Sequence, residues 1–199
     1  MKRLVLGLST SLLLCCAGMA NAAVIKYGAA LSGPAEDPRN ESPATGRTTV
    51  LIDEAANTMT LRATFSGLLG PTTASHIHCC TVDPFTARAG VATALPSFFA
   101  FPIGVTEGTH RETFDLSNAA TYNATFIAGN GGTVESARLA FLAGLASGRS
   151  YLNIHTTAFP GGEIRGFLTE VPEPGSLALL GLGALGLATL RRRAARLAR

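Results

Sequence analysis

Between Thr58 and Phe65 the chain alternates strictly. Met59, Leu61, Ala63 and Phe65 are apolar, while Thr58, Thr60, Arg62 and Thr64 are polar. A period of two places each set on its own face, which predicts a half-buried β-strand. Arg47–Asp53 reads as a strand too, and the polar Glu54–Asn57 between them predicts a hairpin. Further strands are predicted over Val24–Leu31, Ala74–Cys79, Thr109–Leu116, Arg149–Thr156 and Glu163–Glu170. The last two are parted by Phe159-Pro160-Gly161-Gly162, a turn signal. Ser32–Gly46, with Pro34, Pro38 and Pro43, predicts a loop, and Gly67–Thr73 a turn. Val82–Gly104 has no clear period, but its Phe85, Phe98, Phe99 and Phe101 predict a long loop packed over the core. The period changes after Asn130-Gly131-Gly132. Val134, Ala137, Phe141 and Leu145 recur at helical spacing, with Thr133 placed to cap the helix and Gly148 to stop it. Short strands with turn signals and one helix predict a mainly β fold, a β-sandwich with one inserted helix.

Both ends of the chain depart from these patterns. Lys2 and Arg3, the apolar Leu4–Gly18 and the small-x-small Ala20-Asn21-Ala22 have the layout of a signal peptide over residues 1–22, cleaved before Ala23. Cys15 and Cys16 raise a lipoprotein leader as the alternative, but Leu14 is a poor match before a lipid-modified cysteine. At the other end Pro172-Glu173-Pro174-Gly175 precedes an uncharged span, Ser176–Leu190, and then Arg191, Arg192 and Arg193. Its 15 residues fall short of the roughly 20 that cross a bilayer comfortably. Basic residues after the span favour a cytoplasmic C-terminus, with the domain on the far side.

This three-part ending resembles the PEP-CTERM sorting signal of Gram-negative bacteria, over residues 171–199. The resemblance implies an exosortase-type processing peptidase as partner and processing near Pro172, Glu173 and Pro174. It further implies transient anchoring in the inner membrane through a hydrophobic helix over 176–190, followed by delivery to the cell surface or exopolymer. The two ends also distort the composition. The whole chain has a formal charge of +3, yet residues 23–171 hold one Lys and eight Arg against twelve Asp and Glu, nine against twelve, or −3. With no Trp and no basic patch, nucleic acid is excluded as a partner.

Within residues 23–170 two segments carry a second resemblance. They are Ala74-Ser75-His76-Ile77-His78 and Tyr151-Leu152-Asn153-Ile154-His155-Thr156, the latter followed by Pro160-Gly161-Gly162-Glu163-Ile164-Arg165-Gly166. In this order, with the helix between them, they resemble the CHRD (chordin-type) domain. That implies a compact, extracellular, β-rich module with no established catalytic activity. The His-x-His strand followed by a late single His also has a faint parallel in copper-zinc superoxide dismutase. The expected sandwich is thus immunoglobulin-like or superoxide-dismutase-like. Apart from these three, the mature chain has only His110, too few imidazoles for a two-metal dismutase centre.

His76 and His78 share a face, as do Asn153 and His155. If the two strands are neighbours, His76, His78 and His155 could form a mononuclear Cu or Zn site with an open position. Otherwise they are structural groups bonded to carbonyls and hydroxyls at a sheet rim. Glu163 and Arg165 are likewise either a ligand clamp or a catalytic acid, or else an ion pair fastening the last strand, with the multi-donor guanidinium of Arg165 able to satisfy several loop carbonyls at once. Cys79 and Cys80 stay in the mature chain, in an oxidising compartment after export. Adjacent Cα atoms lie about 3.8 Å apart across a trans peptide, below the usual disulfide span of about 4.4–6.8 Å. A vicinal bridge would make a tight turn after His78, while an intermolecular bridge, free thiols and metal ligation remain as alternatives. No nucleophile–base constellation or phosphate loop is present, so no catalytic residue and no cofactor beyond Cu or Zn is expected. The expected function is a non-enzymatic binding or structural module, partnered by exopolysaccharide or another surface protein. A metal-binding or redox protein built on the histidines is the competing expectation.

Overall fold

A computed structural model describes residues 24–172, together with 181 and 183–186. The expected signal peptide, most of the 176–190 span, and Glu173, Pro174, Arg191, Arg192 and Arg193 lie outside the described residues. Among the described residues no helix is long and apolar enough to cross a membrane.

The strands are β1 (Ile25–Ser32), β2 (Thr45–Asp53), β3 (Thr58–Ser66), β4 (Thr72–Cys79), β5 (Gly108–Asp115), β6 (Ser150–Thr156), β7 (Ile164–Phe167) and β8 (Thr169–Glu170). They form one antiparallel sheet in the order β4-β6-β7-β1-β2-β3-β5, with β8 paired to β1. The alternation in β3 comes out as predicted: Met59, Leu61, Ala63 and Phe65 are buried, whereas Arg62, Thr64 and Ser66 are exposed. Burying each large apolar side chain of that set contributes about 1.5–3 kcal/mol. Glu54–Asn57 closes the β2–β3 hairpin, and Val50, Ile52, Leu61 and Met59 meet in the core.

The fold differs from the expected sandwich in how its walls are joined. Its two walls are not separate sheets. β1 pairs with β2 along its whole length, but with β7 only at Ser32↔Arg165 and with β8 only at Tyr27 and Gly28. That short seam lets a single sheet curl around the core. The curl nearly closes at the far side, where Thr72 N–H donates to Val105 O at 2.8 Å and Gly104 N–H to Thr72 O at 2.9 Å. The long loop before β5 therefore covers the β4 edge, the usual protection for an unpaired strand. It also contributes Phe98 and Phe101 to the core, as its aromatic content predicted, while Phe85 and Phe99 stay exposed.

Two consecutive α-helices replace the single expected one: α1 (Ala124–Gly129) and α2 (Val134–Ala146). The short α1 has no room for a hydrophobic period, and its visible signal is the Asn123 cap on the Thr125 N–H. Thr133 caps α2 through the Ser136 N–H, and Gly148, at φ 67°, ends it with a bond to Leu145 O. Ala137, Phe141 and Leu145 are buried, and Val134 packs at the border. Gly144 lies over Cys79 and Cys80, so close that a Cβ there would stand 2.2 Å from Cys79 Sγ.

Candidate metal centre

Strands β4, β6 and β7 have two different faces. Ile77, Leu152, Ile154 and Ile164 point into the core. The opposite face carries His76 and His78 from β4, Tyr151, Asn153 and His155 from β6, and Arg165 and Phe167 from β7. Register explains the grouping: His76 is opposite Asn153, which is opposite Arg165, and His78 is opposite Tyr151, which is opposite Phe167. Cross-strand partners share a face, so six of these seven residues form two rows of three. Loops before β2 and after β4, and the turn before β7, cover this second face.

The three histidines meet there. One ring nitrogen from each lies within 4.8 Å of the others. His155 Nε2 and His76 Nε2 are 2.9 Å apart. Backbone carbonyls orient two of the rings: His78 Nδ1 donates to Ala89 O at 2.8 Å, and His155 Nδ1 to Pro160 O at 2.9 Å. With the proton held on Nδ1, each of these rings turns its Nε2 lone pair toward the cluster. His78 Nε2 is buried without a partner, as is His76 Nδ1. The His78 ring is further fixed by stacking on Tyr151, with centroids 4.7 Å apart and planes within 6°.

These rings are held neutral. Burial, reinforced by His78 and His155, lowers the His76 pKa to about 3, against the opposing effect of the Pro96 carbonyl. Burial lowers His78 to about 4, opposed by its bond to Ala89 and aided by His155 and Arg165. His155 is lowered as well, again chiefly by burial. His78 and His155, neutral and with Nδ1–H tied to a carbonyl, have the protonation state and orientation that metal ligation requires. His76, whose Nε2–H donates to His155 Nε2, would ligate once that proton moves to its unpartnered Nδ1.

A second polar group adjoins the cluster. Arg165 donates to Ala35 O at 2.5 Å and Ala87 O at 3.0 Å, lies 3.8 Å from Glu36, and covers the Tyr151 ring at 4.7 Å. Its expected role of satisfying loop carbonyls is what the geometry contains, but its ionic partner is Glu36 and not Glu163. Glu36 is buried and its pKa is raised to about 7 by desolvation, with Arg165 opposing. Glu36 Oε1 and Asn153 Oδ1 both lack partners, and both border the space that a Cβ on Gly162 would fill. Glu163, fully buried, accepts from Ser42 Oγ at 2.6 Å, Leu69 N–H at 2.7 Å and Thr156 Oγ1 at 2.7 Å. It ties three separate segments together instead of facing a ligand.

Cys79 and Cys80 are disulfide-bonded to each other through a cis peptide, with Cα atoms 2.9 Å apart where the trans spacing was expected. They pack against α2, and Cys79 belongs to the core, so the metal-ligation alternative has no geometric support. His110 lies on β5 among Phe98 and Phe101, 3.7 Å from Glu112, and does not join the cluster. Of the sorting residues only Pro172 is described. It is exposed and follows directly on Val171, whose N–H bonds to Lys26 O at 2.8 Å. Sequence reasoning missed Glu36, Ala89 and Pro160. The last two act through their carbonyls, which leave no mark on residue type.

Fold and cluster together define a mainly β domain with a candidate three-histidine metal centre on its loop-covered face. The family model for the CHRD domain matches residues 27–168, and the chain belongs to that family. The PEP-CTERM protein-sorting motif matches residues 170–193, the mark of an exported protein handled by an exosortase system. No curated protein and no solved structure matches the chain.

Proposed function

We propose that this protein is an exported, non-enzymatic metal-binding module, delivered by its tail to the cell surface or exopolymer. The metal, Cu or Zn, is held by His76, His78 and His155. The observation that supports this reading best is the convergence of three neutral imidazoles, two of them oriented by backbone carbonyls. A purely structural role accounts less well for three ring nitrogens brought together while His78 Nε2 has no partner. When bound, the metal would supply a Lewis-acidic centre with an open coordination position. The protein's own residues orient the rings, keep them deprotonated and limit access of water.

Export and exosortase sorting follow from the matched tail, whose processing would occur near Pro172, Glu173 and Pro174 after transient insertion of 176–190. Exopolysaccharide or another surface protein is the partner at the destination. A concavity bordered by Ser32, Arg47, Thr64, Ser66, Glu107 and Thr109 offers hydroxyls and charged groups suited to a polyol. Titrating the purified protein with Zn²⁺ or Cu²⁺ tests the central claim. One saturable equivalent, abolished in His78→Ala, is expected. Absence of saturable binding, or binding indifferent to that substitution, would refute it.

A further inference from the structure

Charge and donor set narrow the choice of metal. Resting on the metal-binding reading above, we propose that the centre is a copper site that holds Cu(I) in preference to divalent ions. The donors are three neutral imidazoles, and among the described residues no carboxylate or thiolate belongs to the cluster. A bound ion would therefore keep its whole formal charge. The cost of taking an ion out of water rises with the square of that charge, so a divalent ion forfeits about four times the hydration of a monovalent one.

The surroundings act in the same direction. His78 stacks on Tyr151 at 4.7 Å, and the Arg165 guanidinium covers that ring at 4.7 Å. Because β6 lies between β4 and β7, the guanidinium and His78 stand on opposite sides of Tyr151. Its positive charge is thus one ring away from His78, where it disfavours added positive charge. Glu36, the carboxyl nearest to neutralising Arg165, is 3.8 Å away and is itself drawn toward its neutral form by burial. A monovalent ion suffers this repulsion half as much as a divalent one.

Coordination number agrees. Zn(II) with three protein ligands fills its fourth position with water, whereas d¹⁰ Cu(I) is stable with three nitrogen donors. Among divalent ions the Irving–Williams order places Cu(II) above Zn(II), so Zn(II) is the weaker competitor on both counts.

The test is a pair of anaerobic competition titrations on the purified mature protein, from which the signal peptide and its Cys15 and Cys16 thiols, themselves strong Cu(I) donors, have been removed. Cu(I), kept reduced by ascorbate, is competed with bathocuproine disulfonate, and Zn(II) with a chromophoric chelator. One equivalent of Cu(I) is expected, bound at least about 100-fold more tightly than Zn(II), a difference of about 2.7 kcal/mol. Binding should be lost in His78→Ala and in the milder His155→Gln, with folding verified by far-UV circular dichroism. Zn(II) affinity equal to or above that of Cu(I) would overturn the copper(I) inference and leave the metal-binding function standing. If neither ion binds, or if both variants bind as the parent does, both proposals fail.

Discussion

Replacing Glu163 by Gln should be among the most damaging isosteric changes in this domain. The side chain is fully buried and accepts three bonds, from Ser42 Oγ, the Leu69 N–H and Thr156 Oγ1, at 2.6–2.7 Å. Hydrogen bonds to a charged group contribute about 1.5–3 kcal/mol each and neutral ones about 0.5–1.5. Converting three from one kind to the other loses about 1 kcal/mol per bond, about 3 kcal/mol in all. The amide NH₂ also has to face a donor. On the Thr156 side the hydroxyl would have to accept a second bond beside that from Phe159 N–H at 3.1 Å, and its own proton would lose Glu163 as acceptor. For a domain of this size the loss corresponds to a fall of about 6–12 °C in Tm. Urea denaturation of the metal-free, oxidised protein, followed by far-UV circular dichroism, should show a lower midpoint at unchanged slope. A variant within about 0.5 kcal/mol of the parent would refute this account of Glu163. Phe159 also begins the turn that carries Pro160, so metal affinity should weaken together with stability.

The remaining predictions concern protonation, packing and the cysteines. His76 and His78 have pKa values depressed to about 3 and about 4, so in the fold they stay neutral where the unfolded chain takes up protons. Their contribution is intact above about pH 6.5 and is lost as the pH falls toward 4. Glu36, raised to about 7, acts in the opposite sense, but one group does not offset two. The metal-free protein should therefore have a lower urea midpoint at pH 5 than at pH 7, and an equal or higher one would contradict the assignment. Gly166→Ala would place a Cβ 2.1 Å from Ala30 O, on backbone that cannot yield, so soluble folded protein should be largely lost. A normal Tm for that variant would sink the argument. Thr133→Ala removes the cap of α2 and should cost about 1 kcal/mol in urea titration. Intact mass of unreduced, unfolded mature protein after alkylation should show no added groups, against two after reduction, because Cys79 and Cys80 bond each other.

Much of the fold was legible locally. The β3 alternation, the Thr133-to-Gly148 frame of α2 and the aromatic loop over the core each declare themselves within a few residues, because one period or one cap decides them. Helix α1 escaped because six residues are too few to establish a period. The single curled sheet escaped because strand alternation says which face is buried, not which strand is neighbour. Only the sparse β1–β7 pairing reveals that both walls belong to one sheet.

The site divides in the same way. Spacing alone put His76 with His78, and Asn153 with His155, on common faces, and the motifs identified domain and tail. Whether those faces met was a matter of register between strands some 75 residues apart in the chain, and pairing His76 with Asn153 settled it. Sequence also could not assign Glu36 to Arg165, or supply the Ala89 and Pro160 carbonyls, since any residue type carries a carbonyl. Side-chain chemistry and its periodicity are written along the chain. Convergence, burial and the protonation states they impose arise only when distant strands and loops close on one another.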